Sequence, residues 1–138
     1  MFSVFFPQPK NLERQMPLCL YQVSLSFRDE KDKTFNNMRF KQFYQLEFQL
    51  AYGASTKADY HVSAVDSVVN LLSRLFPSRE IRAEVLNEDC PFYSEKTTDI
   101  YIDRWEIVAI SSRTDYIHPI VEISCGLDRL VAIWQQDV

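Results

Sequence analysis

Met38-Arg-Phe-Lys-Gln-Phe-Tyr-Gln-Leu-Glu-Phe-Gln-Leu50 decides the fold, together with the earlier stretch Tyr21-Gln-Val-Ser-Leu-Ser-Phe-Arg-Asp-Glu30. Apolar and polar side chains alternate in both stretches, and a two-residue period places alternate side chains on opposite faces of a sheet. We therefore expect two strands whose apolar faces meet a core. The polar face would carry Arg28, Glu30 and the aromatic Phe43, which could hold a planar base beside an anion. A plain solvated sheet face is the alternative, and alternation alone favours it.

The bulk composition indicates one globular domain. The chain has 138 residues, of which 46% are hydrophobic and 14% aromatic, which is enough to build a core. The net charge of −4 argues against broad nucleic-acid binding, whereas a few local arginines suffice for a triphosphate. The three cysteines lack metal-ligand spacing and predict buried free thiols in a reducing compartment, the cytoplasm or alternatively the mitochondrion. No apolar run approaches the roughly 20 residues that span a bilayer, so no membrane association is expected.

The coarse pattern predicts an α+β domain with an antiparallel sheet flanked by helices. Helical spacing of apolar residues predicts helices over about 60–76 and 126–135. Strands are expected at about 2–6, 19–29, 38–51, 81–86, 97–111 and 119–124, with a turn-rich connection at 87–96. Gly126 falls where the last strand becomes the last helix, which indicates either a close approach of the backbone to a ligand or a plain joint.

Three segments resemble class II aminoacyl-tRNA synthetases, most closely the glycyl-tRNA synthetases. Phe27-Arg-Asp-Glu30, a short charged loop and Arg39-Phe-Lys-Gln-Phe43 resemble motif 2. Trp105-Glu-Ile-Val-Ala-Ile-Ser-Ser-Arg-Thr-Asp-Tyr116 resembles a later segment of that family, and His118-Pro-Ile-Val-Glu-Ile-Ser-Cys-Gly-Leu-Asp-Arg129 resembles motif 3. The resemblance implies a single truncated catalytic domain over 1–138, with motif 2 at about 27–47 and motif 3 at about 119–136. Motif 1 and the anticodon-binding domain are not part of the match.

The resemblance also implies a site for ATP and Mg²⁺. Arg28 would hold the α-phosphate and the substrate carboxylate, and Arg129 the γ-phosphate, which makes these two the candidate catalytic residues. Phe43 would stack on adenine, and Glu106 would lie beside the ATP and its magnesium ion. The full set of implied nucleotide-binding residues is Arg28, Glu30, Arg39, Phe40, Phe43, Glu106, Ile107 and Arg129. As isolated residues, Arg28, Glu30 and Glu106 are equally compatible with cross-strand ion pairs, and Arg129 with a pair to Asp128 or Glu122.

A second set of family positions forms an implied amino-acid pocket. Glu47, Glu122 and Ser124 match residues that gather the ammonium group of glycine, and Arg113 belongs to a segment that shapes the pocket. Strand alternation places Glu122 and Ser124 on one face. A cluster of carboxylates is costly unless a cation arrives, which suits an ammonium ligand.

Departures from the family pattern leave the activity open. Lys41-Gln42 stands where the family has Arg-Glu, and Ile123 and Cys125 replace a proline and an aromatic residue around Ser124.

The first hypothesis is a domain that binds ATP and a small amino acid for adenylate formation, a glycine–tRNA ligase if active, with tRNA as a further partner. The second is a non-catalytic relative that serves a nucleic-acid or translation assembly, similar to the accessory subunit of mitochondrial DNA polymerase. A third is a transferase that passes the activated amino acid to another acceptor.

The N-terminal third predicts a protein partner. The resemblance lacks the strand and helix that cover this edge of the family's sheet, and an uncovered edge is normally blocked or paired. Phe2, Val4, Phe5 and Phe6 add aromatic and apolar surface near that edge. We therefore expect either a homodimer through a non-standard surface or a permanent partner chain.

Overall fold

The computed structural model describes residues 1–5, 12–29, 38–88 and 90–138. Within these ranges the strands are β1 (Leu18–Phe27), β2 (Gln42–Ala51), β3 (Ile81–Val85), β4 (Ser94–Ile102), β5 (Trp105–Arg113) and β6 (Ile120–Gly126). The helices are α1 (Phe2–Phe5), α2 (Tyr60–Leu75) and α3 (Leu127–Asp137), with a 3-10 turn at Leu12–Gln15. The strands form one antiparallel sheet in the order β1-β2-β6-β5-β4-β3, and α2 and α3 pack on one face of it, so the predicted α+β class is confirmed. Within the described ranges, no helix has the length and apolar character needed to cross a membrane.

The strand expected over 97–111 is a hairpin of β4 and β5, so this prediction was wrong. Its turn is Asp103-Arg104, where Asp103 has a positive φ of 53°. The Asp103 N–H donates to the carbonyl of Glu80 at 2.8 Å, and the Arg79 guanidinium binds the Asp103 carboxylate at 2.8 Å. Tertiary contacts thus stabilise a turn that lacks the usual glycine or asparagine signal.

The strand expected at the N-terminus is a single helical turn instead. The N–H groups of Val4 and Phe5 both donate to the carbonyl of Met1, and Phe2 is buried in a small cluster with Leu12 and Ile120. Packing of one aromatic residue therefore overrides the local strand pattern. Val4 and Phe5 are exposed as expected, Phe2 is not, and Phe6 lies outside the described residues.

Both predicted long helices are present, and they cover only part of the sheet. α2 begins after Asp59, whose carboxylate accepts from the Val62 N–H, and it ends just before Pro77. It packs over β3, β4, β5 and β6, while α3 packs over β2 and β6. The largest fully buried residues of this main core include Ile100, Ile110 and Ile133.

β1 departs from the expectation that its apolar face meets a core. Tyr21, Val23, Leu25 and Phe27 are 71%, 55%, 39% and 72% exposed, and we call these four side chains the exposed β1 face. The physical reason is position, because β1 forms an edge of the sheet and α2 and α3 are centred on other strands. The alternation was read correctly, but it cannot say whether a helix covers the apolar side.

The polar face of the sheet lies opposite α2 and α3, and its register brings distant residues into one row. Gln22 pairs with Glu47, Glu47 with Ser124, Ser124 with Ala109 and Ala109 with Asp99. Because directly opposed residues in neighbouring strands point the same way, this row crosses the middle of the face.

Candidate functional site

A cleft opens on the polar face where β2, β5 and β6 meet the segment that follows Met38. Its lining is Arg28, Met38, Arg39, Phe40, Phe43, Gln45, Glu106, Ile107, Ala109, Ser124, Gly126 and Arg129. Every residue of the implied nucleotide set that the structure describes lies in this lining. Glu30 lies outside the described residues. The charged members are three arginines and one glutamate, so the cleft suits a polyanion even though the chain carries a net charge of −4.

Arg28 and Phe43 meet at the open end of the cleft. The Arg28 guanidinium carbon lies 5.4 Å from the centroid of the Phe43 ring, within the range of a cation–π contact. The Arg28 N–H donates to the Lys41 carbonyl at 2.8 Å, which extends the β1–β2 pairing by one residue and fixes where the side chain emerges. A planar cation and an aromatic ring are thus side by side, which is suitable for a phosphate and a base of the same ligand.

Arg129, on the first turn of α3, is held by backbone groups from two distant segments. Its Nε donates to the Met38 carbonyl at 3.1 Å, and its Nη1 donates to the Glu106 carbonyl. Asp128, one of the two partners considered from sequence, instead accepts from the Tyr44 N–H. The guanidinium therefore closes the cleft between β5 and the segment leading into β2.

Gly126 joins β6 to α3 with an ordinary φ of −78°. A Cβ built on this residue would meet nothing within 4 Å. The backbone therefore does not require glycine here, and a side chain at this position would occupy the cleft.

Asp99 lies beside the cleft, directly opposite the lining residue Ala109, and the sequence did not single it out. It is 8% exposed, and burial followed by the nearby Glu106 carboxylate raises its pKa to about 6. Asp99 was missed because the sequence predicted one continuous strand here. In such a strand, Asp99 and Glu106 would be roughly 23 Å apart, whereas the hairpin brings them together. Two oxygen-donor carboxylates beside an arginine-lined cleft have the chemistry that Mg²⁺ prefers. No cluster of three or more potential metal ligands occurs among the described residues.

The implied amino-acid pocket lies farther along the same face. Gln22 Nε2 donates to Glu47 Oε2 at 2.5 Å, and the Gln45 amide bonds the Ser124 hydroxyl. Glu47 is directly opposite Ser124 in the register and diagonal to Glu122, a relation that separates the two glutamates by about 7–8 Å along the sheet. The two carboxylates and the serine therefore share one face, as expected.

Glu122 already has a cation, which corrects the expectation that these carboxylates need a ligand for neutralisation. Arg113 Nη1 lies 2.6 Å from Glu122 Oε2, and Arg113 also forms a bidentate pair with Asp115. Burial of Glu122, at 5% exposure, is thus compensated within the chain. Glu47 is left as the carboxylate better placed to receive an ammonium group.

Tyr93 is a second residue that the sequence did not single out. The Arg113 guanidinium carbon lies 4.4 Å from its ring centroid. Burial raises the pKa of the Tyr93 hydroxyl, and the charges of Glu122, Asp115 and Glu47 act in the same direction, against the opposing effect of Arg113. Tyr93 therefore borders the same pocket from the connection between β3 and β4. Tyrosine in a turn-rich segment carries no pattern that would have marked it.

The comparisons with known proteins place the fold. No protein-family model matches this sequence, and no curated protein matches it. Among solved structures, the chain is similar to PylSc of Desulfitobacterium hafniense, a pyrrolysyl-tRNA synthetase, with a TM-score of 0.68 and 16% sequence identity. The match covers 99% of this chain and 49% of that one, so the chain spans about half the length of this neighbour.

This similarity supports the class II aminoacyl-tRNA synthetase-like fold. The six-stranded antiparallel sheet with α2 and α3 on one face matches that fold. At 16% identity the likeness concerns the fold alone, and it does not single out the glycyl branch.

Proposed function

We propose that this domain binds ATP in the cleft and activates a small amino acid, glycine above others, as its adenylate. The observation that carries the proposal is the convergence of Arg28, Arg39 and Arg129 with Phe40 and Phe43 in one cleft. These residues come from opposite ends of the sequence. One guanidinium group can bind two phosphate oxygens at once, and an aromatic ring provides a surface on which a base can stack.

The proposed reaction joins two anions. A carboxylate oxygen of the amino acid attacks the α-phosphorus of ATP, the bond from that phosphorus to the bridging oxygen breaks, and pyrophosphate leaves. Arg28 would hold the attacking carboxylate near the α-phosphate, and Arg129 would hold the outer phosphates. Fixed cations lower the barrier because they need no reorganisation as charge develops.

Asp99 and Glu106 fit a magnesium ion. Their carboxylates are close enough for the charge of Glu106 to raise the pKa of Asp99, and hard oxygen donors are the ligands Mg²⁺ uses. When bound, the ion would supply neutralisation of phosphate charge.

The proposed preference for a small amino acid rests on the hydrogen bonds among the side chains of the implied amino-acid pocket. The amides of Gln22, Gln45 and Gln49 are bonded to Glu47, Ser124 and Glu122 respectively. Because these polar side chains already bond one another, the proposed substrate is one whose recognition needs only its ammonium group. The proposed final acceptor is tRNA.

The free thiols Cys19, Cys90 and Cys125 support a reducing, cytoplasmic location. Cys125 is buried as expected, whereas Cys19 is exposed and Cys90 is partly exposed, so the expectation of buried thiols was wrong for these two.

ATP–pyrophosphate exchange across all amino acids, with Mg²⁺ present and glycine tested first, examines the proposal. We expect exchange with glycine, and loss of exchange in Arg28→Ala but not in Arg74→Ala, an exposed arginine on α2. Calorimetric titration with ATP and Mg²⁺ accompanies it. A folded chain that neither binds millimolar ATP nor exchanges with any amino acid contradicts the proposal.

The second candidate is a non-catalytic subunit of a translation or nucleic-acid assembly. The exposed β1 face favours it, because apolar surface of this kind marks an interface. The internal pairing of Glu122 with Arg113 also favours it, since the pocket is stable without a substrate cation. ATP binding without exchange for any amino acid supports this candidate over the first.

A further inference from the structure

We infer that two copies of this chain associate through the helix-covered side of the sheet, with the exposed β1 face as the centre of the contact. An apolar groove continues this face between α2 and α3. The groove is lined by uncharged side chains of all the strands and helices around it, among them Cys19 of β1, Leu46 and Phe48 of β2, Leu71 and Leu75 of α2 and Leu130 of α3. Its volume is about 470 Å³.

The apolar surface is large enough for a stable dimer. Tyr21, Phe27, Tyr44 and Trp134 are all more than half exposed. A large aromatic residue has about 150–250 Å² to bury, so at these exposures the four present roughly 500 Å². With the exposed Val23, Leu25, Leu71, Leu75 and Val131 beside them, the total is roughly 800 Å², the area that one partner contributes to a standard interface. Monomeric proteins rarely expose patches of this size.

A second copy suits this surface better than a charged partner does. None of the side chains that line the groove is charged, so an identical surface can face it without like-charge repulsion despite the net charge of −4. A nucleic acid would find no cation there to bind. A two-fold contact also needs a surface that complements itself, and a flat apolar strand pair meets that need.

β1 is also an edge strand of the sheet. Among the residues that the structure describes, it is hydrogen-bonded to β2 and to no other strand, which leaves a second row of backbone groups along its outer side. A partner on the adjoining face would shield this edge from indiscriminate pairing. The inference is independent of the proposed chemistry, because the cleft lies on the opposite face of the sheet.

Light scattering coupled to size exclusion tests the contact with three proteins. The parent chain should be a dimer at tens of micromolar. Phe27→Glu should weaken the dimer by roughly a hundredfold, because the contact would bury unpaired carboxylates. Phe92→Glu is the matched control, since Phe92 is 98% exposed in the connection between β3 and β4, and it should leave the dimer unchanged.

Cysteine alkylation locates the contact. Cys19 belongs to the groove, whereas Cys90 lies on the connection between β3 and β4. The rate of Cys19 alkylation should fall as the protein concentration rises, with Cys90 as the internal reference. Circular dichroism of Phe27→Glu establishes that the variant is folded, which is expected because Phe27 is 72% exposed. A folded parent chain that stays monomeric, or a dimer that persists in Phe27→Glu with Cys19 unprotected, overturns the inference.

Discussion

Phe43 illustrates what single residues reveal before a structure is known. An aromatic side chain on the polar side of an alternating strand is out of place, and the structure puts it beside Arg28 in the cleft. Asp99 and Tyr93 carry no comparable mark, because each depends on which strand or connection lies beside it. The sequence could therefore identify side chains that break a local pattern, but not those whose role arises from tertiary neighbours.

Phe43→Ala should weaken ATP binding by about 1–3 kcal/mol, the usual value of a base–aromatic stack. Isothermal titration with ATP and Mg²⁺ measures the change. Phe92→Ala removes an exposed aromatic residue elsewhere and should leave the affinity unaltered. Equal affinities for all three proteins would show that no base stacks on Phe43.

Gly126→Ala should fold normally and bind ATP more weakly. The residue has φ of −78° and an added Cβ meets no atom within 4 Å, so the folded chain tolerates the methyl group. The same methyl group occupies the cleft that the nucleotide needs. Thermal unfolding and titration calorimetry together provide the test, and an unchanged affinity would place the nucleotide elsewhere.

Arg113→Ala should lower the free energy of unfolding by about 3–5 kcal/mol, because it leaves the buried Glu122 carboxylate without its cation. Adding Glu122→Gln to that variant should recover part of the loss, since a neutral amide can still bond Gln49. Urea unfolding of the two single variants and the double variant completes a thermodynamic cycle. Additive losses would mean that the pair contributes no coupling energy.

Secondary-structure elements were predicted well where periodicity alone determines them. The helix expected at 60–76 is α2 at Tyr60–Leu75, and the final helix and the first two strands lie within a few residues of their expected positions. The hairpin at Asp103 was missed because its turn is maintained by Arg79 and Glu80, which are remote in sequence. Periodicity records which residues face a core, whereas turn geometry here depends on contacts that no local window contains.

α2 is attached to the sheet by His61, and this contact predicts an acid-sensitive helix. His61 Nδ1 and Nε2 lie 2.9 Å and 2.8 Å from the hydroxyls of Ser112 and Thr98. Burial lowers the pKa of His61, Lys96 acts in the same direction, and Asp59 opposes them. The unfolded chain therefore takes up this proton first, so the free energy of unfolding should be level above about pH 7 and fall as the pH drops below about 6.5.

Chemical denaturation at several pH values measures that slope, and His61→Gln should flatten it. Asp99 acts in the opposite direction. Its pKa is raised to about 6, so protonation as the pH falls below 6 adds stability until the unfolded carboxyl also titrates. Measurements are therefore made in an Asp99→Asn background. If the free energy of unfolding depends on pH in the same way after His61→Gln, another group is responsible for the acid sensitivity.

At the scale of the molecule, the sequence predicted the layers but not their extent. An α+β sheet with one apolar side follows from alternation and helical spacing, and the similarity to a synthetase agrees with it. Which strands the helices cover depends on the path of the connections, which alternation does not encode. β1 is therefore the strand on which the sequence reading and the structure differ most.

Amide hydrogen exchange should reflect this asymmetry. In dilute solution, amides of β1 should exchange faster than those of β5 and β6, because β1 has an exposed face and pairs with one strand in the described part of the chain. Mass spectrometry of peptic fragments resolves the strands, and concentrated samples show whether β1 gains protection. Equal protection of β1 and β5 at high dilution would mean that the edge is covered within a single chain.

The pairing of β2 with β6 gives the cleft a property that no single strand has. It is the seam between a first hairpin, β1 with β2, and a later meander that runs from β3 to β6. The first unit contributes Arg28 and Phe43 to the cleft, and the second contributes Glu106 and Arg129. A ligand that contacts both units binds only when they are paired, so its binding energy stabilises the pairing of β2 with β6. Only a chain in which the two units are paired would then bind the ligand.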